Sequence, residues 1–158
     1  MLYALHELSS TLTQQVIPKA PNGTSPLIAN FSILPPTIPP QADFHAGEIL
    51  LAEASPKFPQ PLIFVSNRNT GPVLDPRGDT IAIFQVEPKL KLLKQVYTGL
   101  DQIRGMQFFG PQNEYIIAAG VAGSAGTMVF KRINGGTDLK LIATNTEIPT
   151  RTSFVWLN

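Results

Sequence analysis

Cysteine is absent from this 158-residue chain, which removes disulfides and thiolate chemistry and fits a reducing compartment. Charge is sparse too. Charged residues make up 15% of the chain and the formal net charge is +1, so there is no electrostatic footprint for nucleic acid or an anionic membrane. No window approaches the roughly 18 to 20 uninterrupted apolar residues of a membrane helix. The start, Met1 to Glu7, lacks the basic segment of a signal peptide. A cytoplasmic protein without nucleic-acid or membrane partners is expected. Also missing are Gly-x-Ser-x-Gly, His-Glu-x-x-His, a Walker loop and any dense His/carboxylate cluster at metal spacing, so neither a metal nor another cofactor is expected. The glycosylation triplets at Asn22 and Asn30 carry little weight, because such triplets arise often by chance.

Helical periodicity is the last absence, and it points to what is present. Apolar residues come in runs of four to eight, broken by Gly, Pro, Asn and Asp, which is the pattern of an all-β chain. Twelve strands are expected: Leu2 to Leu8, Leu12 to Ile17, Leu27 to Leu34, Gly47 to Ala54, Leu62 to Asn67, Thr80 to Val86, Leu90 to Tyr97, Gly105 to Phe109, Tyr115 to Ala119, Thr127 to Ile133, Leu139 to Asn145 and Ser153 to Leu157.

These runs repeat. "LIFVSN", "DTIAIFQV" and "LKLLKQVYTG" return as "EYIIAAG", "GTMVFKRI" and "LKLIATNTE", with offsets of 46 between Phe84 and Phe130, 49 between Leu90 and Leu139, and 54 between Leu62 and Ile116. A period near 50 with four short strands per unit is that of a β-propeller blade, which buries both faces only by stacking on its neighbours. With strands lettered a to d from the axis outward, residues 2–34 supply b to d of one blade, 46–99 and 103–146 two whole blades, and 153–157 a closing a strand. About three blades are thus expected, fewer than a closed ring needs, so the chain is expected either to self-associate through exposed blade faces or to be part of something longer. Trp156 reads as a core residue of the closing strand. The proline-rich crossing Leu34 to Gly47 reads as a stiff blade-to-blade connection, a proline-rich ligand being the alternative. Gly120 to Thr127 reads as a hairpin loop, since it opens no helix that could cradle phosphate.

Aligning the b strands sets Glu7 and Arg68 at equivalent places in adjacent blades. The turn after strand b and the turn before strand a open on one face, around the mouth of the central channel. Glu7, Arg68, Asp101 and Arg104 are expected there, with His45 and Glu48 flanking the start of an a strand. An arginine at such a rim offers a planar cation for a carboxylate or phosphate, and a partly desolvated carboxylate beside it can move protons. Glu7 and Arg68 are therefore candidate catalytic residues, and Arg68, Arg104, His45 and Glu48 candidate contacts to a small anionic substrate. The competing reading is a plain inter-blade ion pair, worth little if exposed. Arg104 also reads as a structural tie to the next blade, and His6 as a hydrogen-bonded structural histidine.

"ALHELSST" (4–11), "AGEILLAEASPKFPQPLIFVSNR" (46–68), "DTIAIFQV" (79–86) and "QIRGMQFFGPQNEYIIAAG" (102–120) resemble, in order, the Asn-Glu-Leu-Ser-Ser, Ala-Glu-Ile, Ser-Asn-Arg, Ser-Ile-Ala-Val-Phe and Pro-Arg-Gly-Phe signatures of the seven-bladed lactonase propellers. That family includes bacterial phosphogluconolactonase and the fungal carboxy-cis,cis-muconate cyclase. The resemblance spans nearly the whole chain and matches the C-terminal three-sevenths of such an enzyme. It implies a metal-free site at the channel mouth, in which the glutamate of the Glu-Leu-Ser-Ser signature falls on Glu7 and the arginine of Ser-Asn-Arg on Arg68. A further family histidine and arginine would come from blades this chain does not contain, so the chain alone is expected to be inactive. His6 stands where Asn is usual, and Ile103 where Pro is usual. The proline-rich crossing is similar to that of the fungal cyclases, which makes lactone formation from a carboxymuconate the leading expectation. Hydrolysis of a phosphorylated sugar lactone and a non-catalytic interaction module are the alternatives.

Overall fold

A computed structural model describes residues 1–20, 23–148 and 152–157; Asn22 of the first glycosylation triplet lies outside them. Among these described residues, eleven strands build three antiparallel sheets. The first holds β1 (Leu2–His6), β2 (Thr11–Gln15) and β3 (Leu27–Ser32). The second holds β4 (Phe44–Ala52), β5 (Leu62–Asn69), β6 (Thr80–Gln85) and β7 (Lys91–Tyr97). The third holds β8 (Asp101–Phe109), β9 (Tyr115–Ala122), β10 (Thr127–Ile133) and β11 (Asp138–Asn145). In every sheet the spatial order follows the chain order, so each is a meander, the form of a propeller blade.

The core lies between sheets, and the period-2 alternation of β5 shows why. Leu62 and Phe64 join Ile103, Met106 and Ile116 of the third sheet in one apolar cluster, while Ile63 and Val65 join Leu12 of the first sheet and Ile33, just after β3, in another. Both faces of the middle sheet are covered. Each such side chain taken fully from water contributes about 1.5–3 kcal/mol, which a lone meander could realise on neither face. Phe64 also meets Phe108 edge-on, centroids 5.5 Å apart.

Two a strands start earlier than their apolar runs predict: β4 at Phe44 rather than Gly47, and β8 at Asp101 rather than Gly105. The register slips between Ala46 and Ile49 in β4, and between Ile103 and Gly105 in β8. A bulge of this kind breaks the alternation by which a strand is recognised in sequence.

The expected closing strand, Ser153 to Leu157, forms no ladder among the described residues. It nonetheless runs beside β8. Trp156 stacks on Phe109 with centroids 4.4 Å apart, and Thr152 and Ser153 lie against the Cα of Gly105. Gly47 meets Ile103 of the next sheet in the same way. The segment therefore occupies the position of a following blade's innermost strand.

Candidate functional site

The β4–β5 register sets His45 opposite Arg68 and Phe44 opposite Asn69, so the start of strand a and the end of strand b share one face. The β1–β2 turn reaches the same place. Glu7 accepts the Ala46 N–H at its carbonyl (3.2 Å), and Ser10 donates its hydroxyl to the Phe44 carbonyl (2.7 Å). These bonds bring the end of β1 onto the second sheet. A cleft of about 240 Å³ opens there, lined by Leu5, Glu7, Ala46, Gly47, Arg68 and Arg104, from all three sheets.

Arg68 is the fixed element. Its Nε–H donates to the Ala46 carbonyl at 3.3 Å, its terminal nitrogen pairs with the Glu7 carboxylate, and its side chain is 13% exposed. Glu7 keeps 55% of its side chain open to water. Arg104 also lines the cleft, but exposed, and its guanidinium has no hydrogen-bond or ion-pair partner among the described residues. The cleft thus holds two guanidiniums and one carboxylate.

The remaining candidates do not meet there. His45 Nε2 pairs with Asp43 at 3.1 Å, and Glu48 turns back to accept its neighbour's Ile49 N–H at 3.0 Å; neither lines the cleft. His6 hydrogen-bonds Thr13 across β1 and β2 at 2.9 Å, as a structural histidine does. Asp101 stands at the start of β8 with its carboxylate against Gly123, where partial burial raises its pKa. Among the described residues, no three His, Asp or Glu side chains converge as a metal would require.

One residue of this face was not legible as important. Asp79, just before β6, is 2% exposed and accepts three backbone N–H groups: Asn69 at 3.0 Å through one carboxylate oxygen, Gln102 at 2.6 Å and Ile103 at 3.2 Å through the other. Burial pushes its carboxyl up to about 6 against the opposing pull of those donors, and the Asp101 charge adds to the rise. In sequence it is one Asp before a strand, a usual turn residue. The repeat does not mark it either, since the matching run "GTMVFKRI" opens with Gly126 rather than an acid.

The family model described as "Lactonase, 7-bladed beta-propeller" matches residues 1–156. The chain belongs to the seven-bladed lactonase propellers. Among solved structures, this chain is similar to the periplasmic gluconolactonase PpgL of Pseudomonas aeruginosa, with 18% identity and a TM-score of 0.68 over 92% of this chain and 36% of that one. It is similar also to a "putative 6-phosphogluconolactonase" of Bacteroides fragilis, with 18% identity and a TM-score of 0.69 over 96% of this chain and 37% of that one. At such identities the likeness is one of fold. No curated protein matches the chain. The chain spans a little over a third of the length of either solved structure.

Proposed function

We propose that the cleft holds the anionic group of a sugar lactone or of its hydrolysed acid, and that lactone hydrolysis is the reaction this lactonase propeller serves. The observation that carries the reading is the pairing of Arg68 and Arg104 in one cleft against the single carboxylate of Glu7. Hydrolysis adds water to the lactone carbonyl, breaks the ring C–O bond and leaves a carboxylic acid that ionises. Guanidiniums suit both the negative charge that develops on the carbonyl oxygen and a phosphate or carboxylate elsewhere on the sugar. Glu7, partly open to water and tethered by Arg68, supplies a carboxylate that can take a proton from the attacking water. The structural neighbours, a gluconolactonase and a "putative 6-phosphogluconolactonase", favour this reading over cyclisation of a carboxymuconate, which has no such support.

Binding tests it more directly than turnover. Titration calorimetry of the 158-residue chain with 6-phosphogluconate is expected to show an interaction that Arg68→Ala and Arg104→Ala each weaken about tenfold or more, the scale of one charge-assisted hydrogen bond. Affinity indifferent to both substitutions would refute the reading. So would absence of binding to the chain.

A further inference from the structure

The two arginines of the cleft come from different sheets, Arg68 from the end of β5 and Arg104 from the bulge of β8, so their spacing depends on what spans the junction between those sheets. Asp79 spans it. One of its oxygens accepts the N–H of Asn69, the residue after Arg68; the other accepts the N–H groups of Gln102 and Ile103, the two residues before Arg104. Its own backbone completes the clamp, donating to the Leu100 carbonyl at 2.7 Å and accepting both the N–H and the hydroxyl of Thr98, at 3.0 and 2.8 Å. A second tie runs parallel to it, where Ser66 accepts the Glu48 N–H at 2.8 Å and donates to the Ile103 carbonyl at 3.3 Å.

We propose that Asp79 is a positioning residue of the cleft, whose bidentate carboxylate sets the separation of Arg68 and Arg104 so that both guanidiniums can engage one anion. The proposal rests on the reading of the cleft as an anion site. Asp79 touches no ligand itself; it acts through the backbone on either side of the sheet junction. Because a carboxylate accepts without donating, it alone among side chains of this size can take donors at both oxygens; an asparagine would turn an N–H₂ toward one set of backbone N–H groups.

Sulfate is the probe, since its charge is constant around neutral pH. The sign of one variant separates positioning from simple charge. Removing the Asp79 charge by Asp79→Asn makes the neighbourhood more positive, so an electrostatic role alone predicts tighter sulfate binding. Positioning predicts the reverse, a loss of about tenfold, with Asp79→Glu also weakened because the longer stem displaces both sets of bonds. The matching readout needs no variant: in the labelled wild-type chain, saturating sulfate should shift the amide resonances of Asn69, Gln102 and Ile103 along with those of Arg68 and Arg104. Unchanged or tighter binding by a folded Asp79→Asn chain overturns the proposal, as do capped amides that stay still while the arginine amides move. Wild-type chain that ignores sulfate, with Arg68→Ala no different, instead sinks the anion site and the positioning role with it.

Discussion

At the residue scale, the buried Asp79 carboxylate couples stability to pH in a direction opposite to most acids. Its pKa is raised in the folded chain, to about 6, so the unfolded chain gives up this proton first as pH rises. The stabilisation of the protonated form is complete below the ordinary aspartate pKa of about 3.9 and is lost progressively up to pH about 6, a span worth about 3 kcal/mol. Asp75 and Glu114 act the other way. Arg77 lowers the pKa of the first, and Lys57 followed by Lys131 that of the second, so their contributions are present above the unfolded carboxylate values and fade in acid. Urea unfolding between pH about 4 and 6 should show the wild-type losing stability relative to Asp79→Asn as pH rises, by up to about 3 kcal/mol. Parallel pH curves for the two chains would mean that Asp79 is not buried as described. At this scale the meeting of Glu7 and Arg68 was legible in the sequence, because the repeat aligns them. It hid Asp79, whose effect comes from three backbone donors that converge only after sheets from distant segments meet.

At the element scale, the period-2 apolar runs were enough to place eleven strands and their grouping, because each strand alternates between two inter-sheet cores. The a strands were harder, since their first turns carry bulges at Gly47-Glu48 and around Arg104 that interrupt the alternation where the cleft is built. The closing strand was legible as apolar sequence but forms no ladder among the described residues. Gly47 marks how tightly the elements approach: a Cβ there would meet the Ile103 carbonyl and, at 2.6 Å, the Ser66 hydroxyl. Gly47→Ala should therefore push β4 from β8, costing about 1–3 kcal/mol by overpacking, and should weaken 6-phosphogluconate binding although no charge is lost. Thermal unfolding and calorimetry on the same variant check both halves. An unaltered melting temperature would show that the sheets have room to spare.

At the scale of the whole molecule, stability is graded outward from the middle sheet. Phe64, Ile81, Ile83 and Phe84 are fully enclosed between neighbours, whereas Leu27 and Ile28 of β3 and Leu141 and Ile142 of β11 are about half exposed. Amides of β5 and β6 should exchange with solvent only through global opening, and those of β3 and β11 by cheaper local opening, so hydrogen exchange followed by NMR should rank the sheets in that order. Equal protection across all three would point to further contacts on the outer sheets. The Gly105 joint, where Thr152 and Ser153 repeat the approach that Ile103 makes to Gly47, has a geometric corollary. If bare Cα hydrogens act as the spacers at successive junctions, the angular pitch of the wheel is gauged by the absence of a side chain, and a single methyl inserted as a shim would alter how many sectors its circumference can accommodate.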